Sequence, residues 1–177
     1  MNRYHPLLVV LHWLVAIMIL ISLIVGGPML ADMKNSDPQK ITALTGHMIW
    51  GLCIGGLMLA RLAIRVFTRK PPLADTGHPT LNFGTQVAHA ALYVLVFAMV
   101  ASGLGIAFSA DVFAIAFGGS DAALPASFND IAARTAHGIV ATLLLLLIAL
   151  HVLGWAYHQF VRQDRLMGRM WFGRKVE

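Results

Sequence analysis

Four stretches of this 177-residue chain, 7–30, 47–66, 85–109 and 134–160, are apolar enough and long enough to lie in hydrocarbon. In lipid every backbone N–H and C=O must find its partner within the protein, and a helix achieves this within a single segment. At a rise of 1.5 Å per residue, roughly 20 residues cross a bilayer core about 30 Å thick. Composition agrees, with 58% hydrophobic and only 12% charged residues, about half the charge of an ordinary soluble domain. The expected fold class is an all-α membrane protein, a four-transmembrane-helix bundle, with residues 1–177 forming a single integral membrane domain.

Lys and Arg set the expected orientation. Arg3 precedes the first span, Arg69 and Lys70 follow the second, and Arg162, Arg165, Arg169, Arg174 and Lys175 lie at or beyond the end of the fourth. The opposite loops hold Lys34, Lys40 and Arg134. The positive-inside rule then places both termini and the 67–84 loop in the cytoplasm, with 31–46 and 110–133 on the other side. The net charge of +5 is thus a topology signal. No nucleic-acid motif accompanies it, so nucleic acid is not an expected partner and membrane lipid is.

The first apolar run is about twice the length of a signal-peptide core and no A-x-A site closes it, so it reads as a retained helix. Pro71 and Pro72 stop the second helix, and 76–80 reads as a turn-rich connection. Residues 112–117 are apolar but too short to span, which suits an interfacial segment. The single cysteine, Cys53, has no disulfide partner and is expected to be a small packing residue beside Gly51, Gly55 and Gly56.

Five of the eight histidines, His12, His47, His89, His137 and His151, fall inside these spans. Ionisable groups in hydrocarbon are rare and usually functional. His137 and His151 are 14 residues apart, nearly four helical turns, so both face one way about 21 Å apart along the axis. Counting from the membrane surfaces, His12 shares the depth of His151, and His47, expected in the first turn of its span, shares that of His137. Two bis-histidine sites, one per leaflet, explain all four. Zinc would want three or four N or S ligands around one ion, which two pairs on different levels do not supply. Haem iron takes two axial imidazoles, and without a C-x-x-C-H motif the haem is non-covalent, of the b type. Two haem b groups are therefore the expected cofactors, and two axial imidazoles leave iron suited to outer-sphere electron transfer.

Arg61 lies 14 residues past His47, at the level of the cytoplasmic pair, where a guanidinium wants an anion such as a haem propionate. Arg134, three residues before His137, stands in the same relation to the outer pair. Trp50, one turn after His47, is a candidate to pack on a porphyrin, while Trp13 and Trp171 suit an interfacial belt.

These residues resemble the bacterial cytochrome b561 family, close to its di-haem superoxide oxidases and more distantly to the cytochrome b subunits of hydrogenases and formate dehydrogenases. The resemblance runs through His12-Trp13-Leu14-Val15, Gly46-His47, Arg61 with Arg65, Ala88-His89 with Leu92-Tyr93, the step from His137 to His151, and Ala156-Tyr157-His158. It implies the same ligand pairs, His12 with His151 and His47 with His137, in a bacterial inner membrane.

Beyond the haems, His158 lies two turns past His151, and His89 is expected to begin the third span at a similar depth. A quinone takes up protons as well as electrons, and imidazole titrates near neutral pH, so His89 and His158 are candidate ubiquinone contacts. The resemblance implies the same, since ubiquinone-reducing members carry both histidines. Headgroup contact for His158 and plain packing for His89 are the competing readings. The resemblance further implies superoxide as the donor on the outer face. There Asp32, Asp37, Asp111, Asp121 and Asp130 outnumber the three cations, which opposes steering of an anion unless folding gathers the bases. Two functions follow: a superoxide:ubiquinone oxidoreductase, or a cytochrome b anchor subunit passing electrons between a separate periplasmic oxidoreductase and the quinone pool.

Overall fold

The computed structural model describes residues 3–68, 71–72, 75–164 and 166–171. Four helices are long and apolar enough to cross a membrane: α1 (Pro6–Asp32), α2 (Gln39–Phe67), α3 (Pro79–Ser109) and α5 (Ala132–Arg162). A five-residue helix, α4 (Val112–Ala116), lies between the last two, and a 3-10 turn (Leu166–Arg169) follows α5. Arg69, Lys70, Arg165, Arg174 and Lys175, used above for orientation, lie outside the described residues.

The spans begin earlier than hydropathy predicts, by eight residues in α2 and six in α3. Hydropathy registers only the part that lipid touches, whereas local chemistry sets the helix start. Asp37 Oδ1 accepts the Gln39 N–H at 2.8 Å, starting α2 ahead of its apolar run. Pro79 opens α3, where its missing N–H costs nothing. The connection expected over 76–80 therefore ends at His78. His47 stands two turns inside α2, and His89 lies nearly three turns inside α3 instead of at its start.

Two π-helical stretches interrupt the regular spans. Within α1, residues 22–26 widen ahead of Pro28, whose ring cannot tolerate the carbonyl four residues before it. The preceding Met18 carbonyl accepts Ser22 Oγ at 3.0 Å and Trp50 Nε1 at 3.1 Å. Trp50 is thus a brace between α1 and α2. The second π stretch, Tyr157–Arg162, ends α5.

Packing is uneven in a way that matters for function. α3 and α5 pack most extensively, α1 packs on α2, and α2 on α3, while contacts of α5 with α1 or α2 are far sparser. At Gly55 an added Cβ would meet Val100 at 3.3 Å, so α2 and α3 touch closely there. Clearance therefore remains between α5 and the α1–α2 pair. At mid-depth it is closed by an apolar cluster from all four spans, Val15, Met18, Ile19, Ile54, Met58, Val96 and Leu144. Outward faces are apolar as well, as with Leu59, Val94, Leu146 and Leu153, which suits a bilayer as solvent. Cys53 corrects an expectation, because it is exposed on this outward face. Ile54 and Gly55, one and two residues on, take the inward positions instead.

The 112–117 segment folds back on the bundle. Val112 and Ile115 are buried, Thr45 Oγ1 donates to the Ala116 carbonyl at 3.2 Å, and Phe113 stacks outward on Phe108 at 5.8 Å. At the opposite end the C-terminal turn returns to α1: Trp13 Nε1 donates to the Met170 carbonyl at 2.9 Å and Trp13 meets Trp171 edge-on at 6.0 Å. These two tryptophans staple the chain's ends together.

Candidate functional site

The four histidines paired by depth meet across the clearance. His47 of α2 and His137 of α5 have ring centres 6.3 Å apart, and His12 of α1 and His151 of α5 are 6.4 Å apart. A metal–imidazole bond is roughly 2 Å and a ring nitrogen lies about 1.2 Å from its ring centre, so one metal held axially sets two imidazoles about 6.4 Å apart. Both pairs stand at that spacing. Leu144 lies midway between His137 and His151 in α5, so the apolar cluster separates the two levels.

Around His47 and His137 opens a cavity of about 680 Å³, within the range of cofactor sites, and largely apolar in its lining. Glycine makes the room: a Cβ at Gly103 would lie 3.4 Å from His137 Cε1. Ser102, which the sequence reading did not single out, fixes the imidazole. Its Oγ lies 3.0 Å from His137 Nδ1, and 2.7 Å from the Ala98 carbonyl. A hydroxyl has one proton; given to Ala98, it leaves Oγ to accept from Nδ1–H, and Nε2 keeps a free lone pair. That is the tautomer a metal requires.

The rim of this cavity bears on the charge question. Lys34, Lys40 and Arg134 all line it, whereas of Asp32, Asp37, Asp111, Asp121 and Asp130 only Asp32 does. Lys40 is 5% exposed and its Nζ donates to the Leu30 and Met33 carbonyls at the end of α1. With Asp37 also close to Lys40, folding gathers three cations and two carboxylates at a rim that the sequence presents as net acidic.

At the other level Arg61 has a partner in hand. Its Nη1 donates to Tyr93 Oη and its guanidinium lies 5.3 Å from the Tyr93 ring centre. Its Nε is buried with no partner, leaving a donor free for an anion. His89 meets His151 with ring centres 5.3 Å apart, so its nearest ring belongs to the His12–His151 pair.

His158 is buried and belongs to a different group. Its Nδ1 lies 2.6 Å from Asp164 Oδ2. The contact depends on Gln163 adopting the left-handed conformation at φ 58°, which turns the chain back so that the Gln163 and Asp164 N–H groups both reach the His158 carbonyl. The bond to His158 holds the Asp164 carboxyl below its ordinary value. Trp155 Nε1, three residues before His158, and Gln159 Oε1, on the residue just after it, are buried without a partner, a donor and an acceptor. Nothing in the sequence marks these polar atoms as unsatisfied, since only packing decides that.

A family model for prokaryotic cytochrome b561 matches residues 3–173. The chain belongs to the prokaryotic cytochrome b561 family. Among similar proteins, "Cytochrome b562" of Cereibacter sphaeroides is 28% identical over 171 residues, 94% of both chains. "Probable superoxide oxidase CybB" of Yersinia pestis is 24% identical over 173 residues, 96% of both chains. The protein is therefore a multi-pass membrane cytochrome b, a carrier of electrons with haem b as its cofactor.

Proposed function

We propose that this cytochrome carries electrons across a bacterial inner membrane from superoxide, or another one-electron donor on the non-cytoplasmic side, to ubiquinone near the cytoplasmic face. Two haem b groups are held by His47 with His137 and by His12 with His151. The observation that carries the reading is two imidazole pairs, each at single-metal spacing, on levels separated by an apolar cluster. Haem held by these histidines would supply a one-electron couple.

The chain's own residues divide the remaining work. Ser102 holds His137 in its ligating tautomer, Arg134 at the cavity rim offers a propionate partner, and the unpartnered Arg61 Nε offers another at the second level. Val15, Ile54, Val96 and Leu144 keep water out between the levels. Lys34, Lys40 and Arg134 raise the local concentration of an anionic donor beside the outer pair. At the end bearing the termini, Trp155 Nε1 offers a donor to a quinone carbonyl, Gln159 Oε1 offers an acceptor to a quinol hydroxyl, and His158 offers a titratable ring. His89, packed on His151, borders the same level.

The test is to purify the protein, record reduced-minus-oxidised spectra, and add superoxide with a ubiquinone analogue. Rapid haem reduction followed by quinol formation, with no other subunit present, is the expected result. Haem that stays oxidised until a separate dehydrogenase subunit is supplied would replace this reading with that of an anchor subunit.

A further inference from the structure

The contact between His158 and Asp164 has a use that electron transfer alone does not explain. His158 is 8% exposed, yet its Nδ1 is tied to a carboxylate that keeps access to solvent at the termini end. Considerable local structure goes into that contact. α5 widens into a π-helix over Tyr157–Arg162, Gln163 turns left-handed without being glycine, and Arg162 Nη1 donates to the Thr76 carbonyl at 3.1 Å, anchoring the turn to the facing loop.

We propose that Asp164 is a positioning residue that holds His158 as the proton donor for quinone reduction. The inference rests on reading this end of the bundle as the quinone site. The carboxylate accepts from Nδ1–H, fixing the ring's orientation, and leaves Nε2 as the nitrogen available to a ligand. This is the division of labour between an orienting carboxylate and an acid–base imidazole. The same stretch of α5 carries the unpartnered Trp155 donor and Gln159 acceptor, a second and independent sign of a missing polar ligand.

The chemistry balances simply. One quinone takes two electrons, from two one-electron donations, and two protons, one on each oxygen. Imidazolium His158 gives its Nε2 proton to one quinone oxygen and regains a proton from water at the termini end; the other oxygen takes its proton from solvent. Among the described residues, the other charged or titratable groups around His158 include Tyr157 on its own segment, its ring centre 5.9 Å away, Arg162 beside Asp164, Arg169 on the 3-10 turn packed against the π stretch, and Asp75 on the facing loop beside Arg162.

The experiment compares two oxidants of the pre-reduced, haem-loaded protein. Ferricyanide takes electrons without protons, and a short-chain ubiquinone analogue takes both. Asp164→Asn is expected to match wild type with ferricyanide but to reduce quinone at least ~10-fold more slowly at and above neutral pH, with kcat lowered more than KM changes. Asp164→Glu is expected to recover part of that rate. An Asn variant with the wild-type quinone rate and pH profile would overturn the assignment. So would equal losses with both oxidants, which would make Asp164 a purely structural residue. Wild-type protein that is oxidised by ferricyanide but never by quinone would instead refute the quinone site itself, and the proton donor with it.

Discussion

Ser102→Ala isolates the residue that sets the His137 tautomer, and its effect can be worked from the contacts. The substitution removes one oxygen and adds no atoms, so nothing clashes. It deletes one acceptor, 3.0 Å from Nδ1, and leaves the Met99 backbone as the ring's other partner, a net loss of about 0.5–1.5 kcal/mol for one hydrogen bond. Partners that orient metal-bound imidazoles typically contribute 10–100-fold in affinity, equivalent to about 1.4–2.7 kcal/mol. The two ranges meet near tenfold. Titrating haem b into apoprotein is therefore expected to show one of two sites weakened about tenfold in Ser102→Ala, with the other unchanged. Because the lost bond made the imidazole a stronger donor, the midpoint potential of that haem should become more positive. Ser102→Thr keeps a hydroxyl acceptor and should behave as wild type. Wild-type affinity and potential at both sites in Ser102→Ala would refute the claim that Ser102 orients a ligand. Equal weakening of both sites would refute the separation of the two levels.

Further outcomes follow from the same geometry. His151→Ala should lose one haem and keep the other, read from haem content and the split of reductive titrations; retention of both would refute the pairing. Lys40→Met should slow reduction by superoxide several-fold and flatten its dependence on ionic strength, since a buried rim cation is removed; an unchanged salt slope would remove Lys40 from donor attraction. The carboxyl of Asp164 is held below its ordinary value by His158, so its contribution to the closed turn at 157–164 is full above the unfolded aspartate value and is lost as pH falls through the lowered one. Hydrogen exchange at the Gln163 and Asp164 amides should rise on acidification, and Asp164→Asn should abolish that dependence.

Much of this site is legible in the sequence because membrane spans obey few rules. Helix is the only available structure for each apolar run, and a fixed rise converts residue number into depth. The pairing of His12 with His151 and of His47 with His137 follows from those two facts, and the ring separations agree with it. Helix starts escape hydropathy for a physical reason: the Asp37 hydrogen bond to Gln39 and the Pro79 start act outside the apolar runs, where hydropathy carries no information. Depth is also blind to azimuth. It does not reveal that His89 packs on His151 or that His158 turns toward Asp164. It left Cys53 among the glycines, while helix phase turns it outward.

What the sequence determined by itself is one-dimensional: the number of spans, their helical state and the shared levels of His12 with His151 and of His47 with His137, all consequences of backbone hydrogen bonding in lipid. The tertiary structure decided everything that depends on which atoms are left facing one another. Three cations separated in sequence meet at a rim that Asp111, Asp121 and Asp130 do not line. Ser102 finds His137 from 35 residues away, and a left-handed Gln163 brings Asp164 to His158. Those contacts arise from the clearance between α5 and the α1–α2 pair and from a local break in helical phase, and a periodic pattern along one chain cannot specify either.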